Sequence, residues 1–134
     1  MTESATSPSI QTQPYDYPLP EKSHLALIII DMQQDYLEPS GFGNDVSRLQ
    51  TIVPAVQRLQ AAFREKGLTI IQTKEAHRAD MCDCPPSKQK RGKGTLKIGD
   101  EGPMGRILIL GEPGNDIIEP LAPIEGERVI VKPG

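Results

Sequence analysis

The 134-residue sequence has no tryptophan, two phenylalanines, three tyrosines and only two cysteines. Two cysteines cannot build a disulfide scaffold. It also lacks a strong charge of either sign: the formal net charge is −3, and the one short basic stretch, Lys88 to Lys97, has no aromatic residue interleaved in it. That excludes nucleic acid and anionic membranes as main partners. No apolar run approaches the ~20 residues needed to span a bilayer, and no N-terminal segment combines basic residues, an apolar stretch and a small-residue cleavage site. The expectation is a cytoplasmic protein. Proline, in contrast, is abundant: 13 residues, roughly twice the usual ~5% share, beside 12 glycines. Such a chain is not a helical bundle or coiled coil and must contain long irregular connections, although its length suits one compact domain with a sizeable core.

Residues 1–22 are rich in Ser, Thr, Gln and Pro and poor in aliphatic side chains. They read as a flexible tail, because they cannot offset the entropy of ordering; Tyr15, Tyr17, Pro18 and Leu19 offer the alternative of draping over the domain or a second subunit. The run from His24 to Asp31, with three successive isoleucines, reads as a strand buried on both faces, the mark of a parallel sheet. Ile52, Val56, Leu59 and Phe63 recur at helical spacing, with Pro54 suited to a first turn and Gly67 to a stop, which predicts a helix over 53–66. Leu68 to Thr73 follows as a second strand, completing a β-α-β unit whose crossover should be right-handed.

From Glu75 to Glu127 the chain is dominated by Pro and Gly, and loops of this length are usually functional or mobile. Arg106 to Leu110 reads as a short strand or extended segment, and Asn115 or Asp116 as a cap for one helical turn before Pro120. A third strand, Arg128 to Val131, runs into Lys132. Parallel strands normally carry helices on both faces, yet the sequence offers about three strands and one main helix. The expected class is α/β with a parallel sheet that is incomplete within residues 23–134. No internal repeat is evident.

Asp31 closes the first strand at the carboxyl edge, where open α/β sheets place their ligands. Apolar walls and a nearby cation pull a carboxylate's proton affinity in opposite directions, which is the adjustable setting a general base needs. A turn cap is the plainer alternative. Lys132 closes the third strand at the same edge and can reach Asp31, as a functional or a structural ion pair. Cys82 and Cys84, with His77 and Asp80 nearby, do not have the spacing of a standard zinc site and read as exposed loop thiols with no evident partner base. His24 reads as structural. His77 and Arg78, just past the second strand, fall at the functional edge and are candidates to touch substrate.

The segment Ala26-Leu27-Ile28-Ile29-Ile30-Asp31-Met32-Gln33-Gln34-Asp35-Tyr36 resembles the opening of the isochorismatase-like cysteine hydrolases, a superfamily that includes nicotinamidases, ureidoacrylate hydrolases and biuret hydrolases. Four further blocks are similar to the biuret amidohydrolase branch in the same order: 73–80, 102–108, 111–118 and 130–134. The resemblance implies a three-layer Rossmann-like fold and an enzyme that cleaves amide bonds through an Asp, a Lys and a Cys. Asp31 would be the base and Lys132 the cation that holds the thiolate and the developing charge. Gln33, Tyr36, His77 and Arg78 would bind substrate. The family's cysteine opens a helix after the fourth strand, so residues 1–134 are expected to be inactive alone; neither Cys82 nor Cys84 stands in its place. Nicotinamidases use an Asp/His metal cluster after the second strand, whereas His77-Arg78-Ala79-Asp80 is similar to the metal-free branch, implying no cofactor. The partners implied are a small-molecule amide, urea- or imide-derived, and further copies of the intact chain in a homo-oligomer. The alternative is a non-catalytic chain that binds a ligand or a subunit.

Overall fold

The computed structural model describes residues 9–12, 15–91 and 95–134. Residues 1–8 and 13–14 of the expected tail, and 92–94 of the basic stretch, lie outside the described residues. Strands β1 (Ser9–Thr12) and β2 (Tyr15–Pro18) pair antiparallel as a ribbon separate from the main sheet. A 3-10 turn over Lys22–His24 leads into β3 (Ala26–Ile30). Short helices α1 (Gln34–Leu37) and α2 (Val46–Gln50) precede the main helix α3 (Val53–Glu65) and strand β4 (Thr69–Glu75). The long connection then holds α4 (Pro86–Gln89), a two-residue ribbon of β5 (Glu101–Gly102) and β6 (Gly105–Arg106), and 3-10 turns over Pro113–Asn115 and Glu119–Leu121. Strand β7 (Arg128–Lys132) follows.

The main sheet has the order β3-β4-β7, and both pairings are parallel. Residues 26–75 thus form the predicted β-α-β unit. Helix α3 begins with proline in its first turn, where the missing N–H costs nothing, and ends at Gly67, whose φ of +62° suits a residue without Cβ. After Gly67 the chain turns directly into β4, with Leu68 N–H donating to the Phe63 carbonyl at 2.9 Å.

The inward face of α3 differs from the expected one. Val53, Val56 and Phe63 pack on the core, but Leu59 and Ile52 are exposed, and the residue facing inward between Val56 and Phe63 is the buried Gln60. The reason is a polar demand at the helix–turn contact: the Gln60 and Gln72 amides both donate to the Leu121 carbonyl, at 3.2 and 3.0 Å. An apolar side chain in their place leaves that buried carbonyl without a donor.

Strand β3 is not buried on both faces, which corrects the reading of its aliphatic run. Ile29 is 5% exposed, whereas Ile28 and Ile30 are 57% and 62% exposed. Helix α3 lies against one side of the sheet only, over Leu27, Ile29 and Ile70. The register aligns Ile28 with Ile71, and Ile30 with Thr73 and Ile130, on the opposite, open side.

Beyond Arg106, which ends β6, the segment to Leu110 is likewise no strand. Ile107, Leu108 and Ile109 are buried, but Leu108 has φ +54°, which breaks extension. Its N–H donates to Asp35 Oδ2 at 2.8 Å and its carbonyl accepts from His77 N–H at 2.8 Å, so this backbone is satisfied by a side chain and a single bridge at His77–Ile109. Neither Asn115 nor Asp116 caps the turn at Glu119–Leu121, whose first cap is Ile118: Asn115 Nδ2 donates to the Glu75 carbonyl at 2.7 Å, and Asp116 pairs with Lys74 and closes the preceding turn, Pro113–Asn115. Among the described residues, no helix is long and apolar enough to cross a membrane.

Candidate active site

Asp31 is the first residue after β3 and has φ +53°. A residue with a side chain pays about 1 kcal/mol or more for that conformation, and such residues cluster at functional sites. Asp31 N–H donates to the Thr73 carbonyl at 3.1 Å, and its own carbonyl accepts from Gln33 N–H at 2.8 Å. The bend turns the carboxylate to the open side of the sheet, where Oδ1 accepts from the Thr73 hydroxyl at 2.7 Å and Oδ2 from Lys132 Nζ at 2.7 Å. Lys132 ends β7, so a parallel sheet delivers both groups to its carboxyl edge. Their side chains are 20% and 35% exposed, which leaves the pair accessible to a ligand while partly shielded from water.

A second cluster forms at the end of β4, where Glu75 is the register partner of Lys132. Glu75 Oε2 accepts from the Tyr36 hydroxyl at 2.9 Å, and Oε1 lies 2.7 Å from Lys88 Nζ. Lys88 also donates to the Pro133 carbonyl. Burial, reinforced by the Glu75 and Asp31 charges, pushes the Tyr36 phenol far above its ordinary range, so it stays a neutral donor. Gly134 has φ +97°, strained for a residue with a side chain, and a Cβ there would force the Lys88 ammonium to shift. Tyr36, Glu75 and Lys88 line a cleft of about 1000 Å³ together with Phe42, Arg48 and Arg91.

The structure brings Asp31 and Lys132 together and sets Tyr36 in the cleft wall. The other candidates, Gln33, His77 and Arg78, do not line that cleft. Gln33 is fully buried and bonds only backbone, at Glu75 and Asn115. His77 is also buried, with Nδ1 3.3 Å from Asp83 Oδ1 and Nε2 3.6 Å from Glu75 Oε1. Arg78 is exposed, 3.8 Å from Asp80. Sequence reasoning missed Thr73, Glu75 and Lys88. The first two carried a usable signal, since alternate residues at the end of a parallel strand share a face with its neighbours' last residues; Lys88, in an aperiodic loop, carried none.

Cys82 is exposed as expected, but Cys84 is buried among Ile98, Ile107 and Leu108. Both thiols titrate above the usual range, Cys82 because it hydrogen-bonds Asp80 and Cys84 because it is buried, the opposite of what a thiolate nucleophile needs. Among the described residues, the side-chain partners of Asp31 are Thr73 and Lys132, and no three His, Cys, Asp or Glu side chains group as a metal site requires. The arrangement thus offers a carboxylate that can accept a proton and an ammonium beside it, with no cysteine among their hydrogen-bond partners in the described residues.

A family model described as the isochorismatase domain matches residues 25–134. The ureidoacrylate amidohydrolases of Cronobacter turicensis and Cronobacter sakazakii are each 30% identical over 122 residues, covering 85% of this chain and 52% of theirs. The crystal structure of an isochorismatase family protein from Desulfovibrio vulgaris matches with a TM-score of 0.61 and 32% identity, over 81% of this chain and 52% of that one. A cysteine hydrolase from Pseudomonas syringae matches with a TM-score of 0.59 at 23% identity, over 80% and 45% of the two chains, a likeness of fold. The chain spans about half the length of the curated relatives it matches.

Proposed function

The chain belongs to the isochorismatase family, and from that premise we propose that residues 23–134 are the N-terminal part of a cysteine amidohydrolase domain acting on a small urea- or imide-derived amide of the biuret type. The observation that carries the proposal is the Asp31–Lys132 pair, held at 2.7 Å across 101 residues of chain at the ligand-binding edge of a parallel sheet. A carboxylate and an ammonium so placed suit a thiol nucleophile, which in this proposal comes from a cysteine outside residues 1–134.

In the first half-reaction Asp31 accepts the thiol proton as sulfur bonds to the amide carbon. The Lys132 ammonium offsets the negative charge, first on sulfur and then on the carbonyl oxygen. The C–N bond breaks as Asp31 returns the proton to the leaving nitrogen, leaving an acyl or carbamoyl thioester. Water then gives a proton to Asp31 and attacks the thioester carbon; collapse releases the acid and restores the thiol with that proton. Support for an amide substrate comes from the relatives named ureidoacrylate amidohydrolase. Support for a biuret-like one comes from the four ordered sequence blocks that resemble the biuret branch.

The test is ammonia release by the full-length protein from biuret, ureidoacrylate and nicotinamide, before and after thiol alkylation. The expected result is fastest turnover of biuret, abolished by alkylation. No release from any of the three, or release indifferent to alkylation, would overturn the proposal and favour a non-catalytic binding role.

A further inference from the structure

We infer that Thr73 is the positioning residue of Asp31: its hydroxyl holds one carboxylate oxygen so that the other, beside Lys132, is the atom that takes the proton. The inference rests on the base role proposed above for Asp31. Thr73 lies on β4, the central strand of the sheet, and is the register partner of Ile30 on one side and Ile130 on the other. Those residues stand one position before Asp31 and two before Lys132, so Thr73 is flanked by the two strands that deliver the pair.

Its hold on Asp31 has two points. The Thr73 carbonyl accepts from the Asp31 N–H at 3.1 Å, and the Thr73 hydroxyl donates to Asp31 Oδ1 at 2.7 Å. The first fixes the backbone where it leaves β3 with φ +53°. The second fixes the plane of the carboxylate, which the ion pair alone does not do, because Lys132 has a flexible four-carbon stem and is 35% exposed. Threonine suits the task because branching at Cβ restricts χ1 and sets the hydroxyl direction in advance. With Oδ1 engaged by a neutral donor, Oδ2 is left as the oxygen that meets an incoming thiol next to the ammonium.

The experiment compares Thr73→Val, Thr73→Ser and Asp31→Asn, and the Thr73→Val/Asp31→Asn double variant, in the full-length protein. Valine keeps the shape and removes the donor; serine keeps the donor. Thr73→Val is expected to lower kcat about tenfold or more, the scale of one lost hydrogen bond to a charged group, with KM nearly unchanged. Thr73→Ser should restore most of it. In the Asp31→Asn background, Thr73→Val should cause no further loss, because a residue acting through Asp31 has nothing left to act on. Wild-type kcat in Thr73→Val, or an equal fold-loss with and without Asp31→Asn, would overturn the inference. Should Thr73→Val not fold, Thr73→Ala supplies the same comparison. Failure of the underlying reading looks different: Asp31→Asn itself would turn over at the wild-type rate, which removes Asp31 from the chemistry and Thr73 with it.

Discussion

Gln33 closes both backbone hydrogen bonds of Glu75: its Oε1 accepts from the Glu75 N–H at 2.7 Å, and its Nε2 donates to the Glu75 carbonyl at 2.9 Å. The amide thus behaves as an extra strand residue, and a further 2.9 Å bond from Nε2 to the Asn115 carbonyl ties in the chain 82 residues away. Gln33→Leu should therefore cost about 2–4 kcal/mol of stability, because it leaves the Glu75 N–H and the Asn115 carbonyl without partners. Denaturant midpoints check this. A large rise in KM with an unchanged midpoint would instead put Gln33 against the substrate.

Loss of either member of the Asp31–Lys132 pair should be felt in turnover. Asp31→Asn and Lys132→Ala in the full-length protein are each expected to lower kcat by about 10² or more, the lower range for a positioned proton acceptor or charge-stabilising group. Steady-state kinetics on the preferred amide decide it. Unchanged kcat in either variant removes that residue from the mechanism.

The surroundings of Glu75 bear on metal dependence. A lysine ammonium lies 2.7 Å from its Oε1, where a divalent cation recruiting Glu75 would have to approach, and the neighbouring His77 has Nδ1 turned to Asp83. Full activity after chelator treatment and loss of activity on thiol alkylation are expected of the intact enzyme. Stoichiometric zinc, with activity lost on chelation and regained on adding metal, would contradict this.

A pH effect on stability follows from Arg64 and Glu127. The guanidinium of Arg64, near the end of α3, grips the Glu127 carboxylate twice, at 2.7 and 2.9 Å, and so holds its pKa below the ordinary range. Because the folded value is the lower one, the stabilisation is complete above the unfolded value of ~4.3 and is lost as pH falls through the folded value. Glu127→Gln should lower stability by about 1 kcal/mol at pH 7, and the difference from the parent should close under acid conditions. Melting curves of both over a series of pH values from 7 downward test it; a gap that does not narrow as the pH falls would refute the account.

Much of this was readable from sequence where one physical cause dominated. Three successive isoleucines before Asp31 made a parallel strand, and Asp31 and Lys132 each close such a strand, so their meeting followed from sheet geometry. The α3 termini were legible because Pro54 and Gly67 act locally. The bare side of β3 was not, because Leu27 to Ile30 has no alternation and so does not say which side is covered. The inward turn of Gln60 was not legible either, because its burial answers a carbonyl 61 residues away. The Glu75–Lys88 contact was illegible for the same reason: the chain between them has no period, and folding rather than spacing decides where the Lys88 ammonium goes.

The reliance of the Asp31–Lys132 pair on the β4–β7 ladder makes the site vulnerable to a lesion that alters neither residue. Side chains in a strand alternate between the two sides of the sheet, so sliding β7 by one position against β4 would carry Lys132 to the α3 side and leave Asp31 without its cation. A single-codon deletion inside 128–131 would impose that slip. For a geneticist scanning variants of this protein, an in-frame loss in β7 belongs with substitutions of Lys132 itself, whatever the chemical nature of the residue removed.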